Sequence, residues 1–327
     1  MKHLLCIFFC LITIPLFAQQ LTITVAQNGS GNFRTIQEAV NSVRDLSQKQ
    51  VRIYIKNGIY PEKLVIPSWK THISLIGESK EHTIITGNDF SGKPFPGGKD
   101  PYGNTKFSTY TSCTVLVQGN YFTAENLTIQ NTAGRVGQAV ALHVEADCTV
   151  IKNCRILGNQ DTLYTATGNS RQYYRDCYVE GTTDFIFGEA TAVFDNCTIK
   201  SLSNSYITAA ATPAGRSFGF VFINCRLIAD TAVTKVYLGR PWRPYAKTVF
   251  IHTEMGGHIV PDGWNPWKGD AMFPDKEKTT FYAEYQCTGP GANTEKRVSW
   301  AKQLSAKAYK HYTLKNIFGQ TAWLPGY

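Results

Sequence analysis

Charge is scarce in this chain: Asp, Glu, Lys and Arg together make up 17% of its 327 residues. The middle of the chain lacks the three-and-four spacing of apolar residues that marks helices. There is no Cys-x-x-Cys pair, no run of Lys and Arg, and no linker that would divide the chain into domains. Each absence removes a class. Without paired cysteines at metal-ligand spacing, zinc is not suggested. Without a basic run or a nucleic-acid motif, the formal charge of +9 does not point to a nucleic-acid binder. It leaves an anionic surface or an acidic polysaccharide as a partner, with scattered solubilising charge as the plainer reading. What is abundant is apolar and aromatic: 43% hydrophobic and 13% Phe, Trp and Tyr. That profile suits a β-rich exported protein with a large core.

The N-terminus, MKHLLCIFFCLITIPLFAQQ, has a short basic start and an apolar run from Leu4 to Phe17. Ala18 before Gln19 makes a cleavage point, so residues 1–18 read as a secretory signal; the competing reading is a buried strand. Loss of Lys2 with the signal would lower the charge from +9 to +8. Phe8 and Phe9 are too bulky for Cys10 to mark a lipid-anchored start. No second apolar run is long enough to cross a bilayer. The expectation is a secreted or periplasmic protein, off the membrane after signal removal, monomeric, with residues 19–327 as one domain.

Four segments repeat: IKNCRI, YRDCYV, FDNCTI and FINCRL. Each has Asn or Asp, then Cys, one variable residue and an apolar one. The cysteines are Cys154, Cys177, Cys197 and Cys225, at spacings of 23, 20 and 28; AENLTI matches earlier, with Leu127 in the cysteine slot. A period of this length signals stacked supersecondary units. The repeats hold short alternating β-branched stretches such as TVLVQG and AVALHV, so the predicted fold is all-β, a right-handed parallel β-helix. The repeated Cys would then stack inside the coil as a small apolar residue, with disulfides as the alternative. The pairing state of Cys113, Cys148 and Cys287 stays open. Residues 35–47 place Ile36, Val40 and Val43 on one face behind a Thr35–Glu38 capping box, a short helix that caps one end. Residues 304–312 read as a second short helix near the other end, and 91–104 as a long loop.

The repeat also works as a ruler. Asp161 and Asp184 each lie seven residues after a repeat cysteine and 23 apart, so they occupy one slot on successive coils, where strands stack about 4.8 Å apart. Gln138 lies another 23 residues back, although the longer interval from Leu127 to Cys154 makes a loop there. Gln160 adds a second amide, but strand neighbours point to opposite faces, so it needs a bend to join the group. Asp184 precedes Phe185-Ile186-Phe187, a run that belongs in a core, and burial of an unpaired carboxylate costs several kcal/mol. Two like charges this close do not both ionise readily: one stays anionic as a nucleophile or base, and the other holds a proton as a general acid. Arg240, in YLGRPWRPY, would pair with Asp184 and keep it charged. The plain alternative is a structural Asp at a solenoid turn.

GIYPEK (58–63), GQAVAL (137–142), NQDTLY (159–164), TDFIFG (183–188) and YLGRPW (237–242) resemble, in order, the five signature segments of pectin methylesterases, and CTGPGANTEKRVSW (287–300) is also similar. The resemblance runs from about Leu21 to the C-terminus. It implies a parallel β-helix that hydrolyses methyl esters of polygalacturonate and releases methanol, with no metal and no cofactor. It also implies Asp184 as nucleophile, Asp161 as general acid and then base, Gln138 and Gln160 as oxyanion donors, and Arg240 as the partner of Asp184 and a substrate contact. Trp242 would offer a face to a sugar ring. Thr109, Phe187 and Tyr164 would line the groove, core packing being the other reading for the two aromatics; Glu62 would be structural. The inhibitory segment that precedes plant members is not expected here, and the loop after SYITAAATPAG resembles bacterial members.

Three rivals remain. Pectate lyases need calcium held by clustered acids, and polygalacturonases need several acids around a His; His258 has no such acidic pattern. A carbohydrate-binding solenoid would keep Trp242 but needs no paired acids. A relative that has moved to another ester would keep the whole set.

Overall fold

The computed structural model describes residues 22–319 and 321–324; the expected signal segment lies outside them. Through the body of the coil each turn contributes one strand to each of three parallel sheets, so the strands in a sheet come from successive turns. Among the described residues these sheets have eleven, eight and seven strands. One full turn runs through Thr149–Lys152 in the first sheet, Arg155–Leu157 in the second and Leu163–Thr165 in the third. The next turn repeats it with Arg171–Arg175, Tyr178–Gly181 and Ile186–Gly188. This is the predicted right-handed parallel β-helix, with crossovers of the hand that twisted parallel strands impose.

The Asn/Asp-Cys repeat has a backbone cause. Asn126, Asn153, Asp176, Asn196 and Asn224 all take a left-handed φ, between 49° and 56°. They form the corner between the first and second sheets, and Asn and Asp tolerate that conformation better than other non-glycine residues. Their side chains link coil to coil: Asn153 Nδ2 donates to Asn126 Oδ1 at 2.6 Å, and Asn196 Nδ2 to Asp176 Oδ1 at 2.6 Å. The residue after each corner turns inward, so Leu127, Cys154, Cys177, Cys197 and Cys225 form one buried column. All four repeat cysteines are unpaired, as are Cys113, Cys148 and Cys287. The repeat thiols instead donate to backbone carbonyls, as Cys177 Sγ does to Ile151 O at 3.3 Å.

The first helix is shorter than predicted, Ile36–Ser42, because Val43 turns extended with ψ 136°. Its capping box is formed: Thr35 Oγ1 accepts from the Glu38 amide while Glu38 accepts from the Thr35 amide. Glu62 adds a second cap, its two oxygens each accepting at 2.9 Å from the Ile36 and Gln37 amides; it is structural, as the sequence suggests. Ile36, Ala39, Val40 and Val43 are buried in the core that fills the coil, and so seal its end. The C-terminal helices do something else. The segment 304–312 contributes only Ala306–Tyr309, and a further helix follows at Leu314–Phe318. Leu314, Ile317 and Phe318 pack on Val150, Tyr173, Val193, Val221 and Val249, on the outside of the first sheet. That face of the sheet carries valines and a tyrosine, and they need cover more than the coil needs a plug. The stretch 91–104 is a loop folded back on itself by a Pro94–Lys106 bridge; its Ser91 amide donates to Gln138 O at 2.9 Å.

Candidate active site

The corner between the second and third sheets sets the acids. Asp161 and Asp184 both take a left-handed φ, 62° and 48°. Their amides donate to the same position one coil on, Asp161 N to Thr183 O at 3.1 Å and Asp184 N to Tyr206 O at 2.9 Å. The paired strands beside them, Leu163 with Ile186 and Arg155 with Tyr178, keep the 23-residue offset. A glycine stands three residues before each acid because the chain doubles back tightly; at Gly181 an added Cβ would lie 2.2 Å from Phe185 Cβ.

Gln138 departs from the ruler. It bridges Gln160, not Asp161, and so sits 22 residues back. The offset is 27 in the second sheet, Thr128 with Arg155, but only 21 in the third, Leu142 with Leu163. The connection around Gln138 therefore carries six extra residues, which spoil a fixed count. The same bridge brings the two amides side by side. The left-handed turn at Asp161 is the bend that lets Gln160 and Asp161, neighbours in sequence, face one cleft. Neither glutamine's side-chain amide donates to another described group, so both are free for a ligand.

The cleft has a volume of about 490 Å³ and is lined by Gln138, Gln160, Asp161, Asp184, Arg240 and Trp242, with Thr109 and Phe187 also on its wall. A row on the outer face of the third sheet, His143, Tyr164, Phe187, Ala209 and Arg240, is in register on five coils, and its last three members line the cleft. Tyr164 and Phe187 stack at 4.5 Å with planes 8° apart. Tyr164 itself opens on a neighbouring hollow with His143, Glu145 and Glu189 and does not line the cleft.

Both carboxylates are nine-tenths or more buried. Arg240 grips Asp184 with two bonds, Nε to Oδ1 at 2.9 Å and Nη2 to Oδ2 at 2.6 Å. Burial pushes the Asp184 carboxyl above the ordinary range, and the guanidinium pulls against it. Asp161 has no such partner. Burial first, and then the charge of Asp184, push it up to about 8, with Arg240 opposing. The arrangement can therefore hold one anion and one carboxylic acid together near neutral pH.

A sequence model of the family described as Pectinesterase matches residues 22–321. The chain belongs to the pectinesterase family. Among curated relatives, a probable pectinesterase/pectinesterase inhibitor of Arabidopsis thaliana is 39% identical over 320 residues, covering 93% of this chain and 53% of that protein. The chain thus spans about half the length of the first curated relatives it matches. Among solved structures, a pectin methylesterase from carrot superposes with a TM-score of 0.82 at 34% identity, covering 92% of this chain and 94% of that one. A pectin methylesterase in complex with a hexasaccharide superposes at 0.78 and 28% identity, covering 93% and 98%.

Within this pectinesterase fold the cleft also holds residues that the sequence did not single out: Tyr110, Ala209, Arg243 and Trp267. The Arg240 guanidinium lies between two aromatic rings, 4.0 Å from the centre of Tyr206 and 3.6 Å from that of Trp267. Trp267 lies outside the five signature segments and outside the repeat. The one available signal was its aromatic density, the two tryptophans of GWNPW.

Proposed function

We propose that this protein hydrolyses the methyl esters of polygalacturonate, releasing methanol. The observation that carries the reading is the pairing of a buried Asp184, held by Arg240, with an unpaired Asp161 in the same turn of the preceding coil. In the first step Asp184 Oδ attacks the ester carbonyl, and the carbonyl oxygen gains negative charge. Gln138 and Gln160 donate to that oxygen; a donor of this kind is commonly worth a few kcal/mol. As the tetrahedral species collapses, the C–O bond to methoxide breaks and Asp161 gives it a proton, so methanol leaves. The substrate is now an acyl group on Asp184. Asp161, now ionised, takes a proton from water; the resulting hydroxide attacks the acyl carbon, and the Asp184–acyl bond breaks. Asp184 is regenerated as carboxylate, Asp161 is protonated again, and the product leaves as the uronic acid, which gives its proton to solvent to become a free uronate.

The surroundings support this reading. Arg240 keeps Asp184 anionic in an apolar setting and also faces the cleft, where it can meet the uronate. Trp242 and Phe187 offer faces to sugar rings, Thr109 a hydroxyl, and Tyr164 supports Phe187 from behind. The likeness to a pectin methylesterase in complex with a hexasaccharide supports an oligosaccharide substrate. We further propose that residues 1–18 direct export, to the periplasm or beyond, and that residues 19–327 work as one monomeric domain on pectin alone. The test is methanol release from highly methylated polygalacturonate, run beside a small acyl ester. Methanol from the polymer, absent with Asp184→Asn, is expected. Turnover of the small ester alone would mean a shifted substrate, and binding without turnover a non-catalytic solenoid.

A further inference from the structure

Behind the cleft lies a lysine that the proposed chemistry does not use. The Lys276 side chain is fully buried, with 0% of its surface exposed. Its ammonium donates to Asp270 Oδ2 at 2.7 Å and lies 3.5 Å from the Trp242 carbonyl oxygen. It also sits 4.5 Å from the centre of the Trp267 ring, the ring that lies 3.6 Å from the Arg240 guanidinium. One cation thus touches the backbone of one aromatic wall and the ring of the other, and the second wall in turn holds the partner of Asp184. Burying an ammonium costs several kcal/mol. Here Arg240 and Arg243 oppose it as well, with Asp270 the only anion bonded to it among the described residues. A methionine would fill the same volume without that cost, so packing alone does not account for a lysine.

We propose that Lys276 is a positioning residue of this cleft, fixing Trp242 and Trp267 around the Arg240–Asp184 pair and placing a buried ammonium behind them. The inference rests on the reading that Asp184 is the nucleophile. The charged and titratable groups acting on Asp184 are Arg240, Lys276, Asp161 and the buried Tyr282; those around Lys276 are Asp270, Arg240 and Arg243. Of these, Lys276 lowers the Asp184 carboxyl. Its loss raises that carboxyl, so the acid limb of kcat/KM moves to higher pH. Loss of Asp270 leaves the ammonium uncompensated and moves the limb the other way.

The test compares pH profiles of methanol release for the wild type, Lys276→Met, Lys276→Arg and Asp270→Asn, with thermal unfolding of each. For Lys276→Met we expect kcat to fall about tenfold and the acid limb to rise by roughly half a pH unit or more. Lys276→Arg should keep the wild-type limb, and Asp270→Asn should lower it. If Lys276→Met unfolds, the opposite shift in Asp270→Asn still decides, because the Asp270 side chain is partly exposed, at 21%, and tolerates the change better. A lower melting temperature with an unmoved limb in both variants would overturn the proposal and leave Lys276 a purely structural group. A wild type that releases no methanol at all would instead overturn the esterase reading.

Discussion

Asp161 and Asp184 stand one coil apart in the same left-handed turn, and only the second is gripped by an arginine. That asymmetry separates the ionisation of two carboxylates that the backbone treats alike. The ion pair favours the anion at Asp184. Burial, with no partner, favours the acid at Asp161.

Asp184→Asn and Asp161→Asn are each expected to lower kcat on the order of 10³-fold or more. Gln138→Ala and Gln160→Ala should each lose about 10²-fold, since each removes one proposed oxyanion donor. Methanol release under substrate saturation measures all four. Wild-type turnover in either aspartate variant would contradict its role.

In the proposed mechanism the proton that leaves with methanol comes from Asp161, so activity needs its acid form. The kcat profile should fall as pH rises through about 8. A profile that stays flat well above that value would remove Asp161 as the acid.

The same group makes the fold weaker as pH rises. In the unfolded chain Asp161 ionises near 4, whereas in the folded chain it keeps its proton to about 8. Its contribution to stability is therefore lost between those values, by up to about 1.4 kcal/mol per pH unit. Asp161→Asn should melt at a higher temperature than the wild type at about pH 7, with the gap closing toward pH 4. Calorimetry across that range checks the sign.

Arg240→Ala leaves Asp184 buried without a cation, a loss typically worth about 3–5 kcal/mol when the carboxylate stays ionised. Part of that is escaped by protonation, so the acid limb of activity should move to higher pH. Arg240→Lys should not restore activity, because an ammonium lacks the fork that binds both oxygens. Thermal unfolding and a pH profile separate the two effects.

All seven described cysteines are unpaired. Thiol titration of the unfolded, unreduced protein should find seven free groups after signal removal, Cys154 and Cys177 among them. Fewer would mean that disulfides compete with the inner column.

Sequence spacing alone determined the coil, its corners and the meeting of the two acids. In a parallel β-helix, residues one period apart lie a strand's width apart, so counting from Cys154 and Cys177 turned sequence into distance. The Asn/Asp-Cys repeat was readable because only a few residues tolerate its left-handed corner. The capping box at Thr35 and Glu38 was readable because it is local. Tertiary structure decided the rest. Six extra residues in one connection moved Gln138 opposite Gln160, and no period records the path of a loop. The C-terminal helix residues Leu314, Ile317 and Phe318 chose the apolar outer face of the first sheet over the open end of the coil. Trp267 reaches the cleft, and Lys276 the back of its wall, from a segment that follows no repeat. Their part in the site depends on the three-dimensional meeting of charge, ring and guanidinium, which spacing along the chain does not specify.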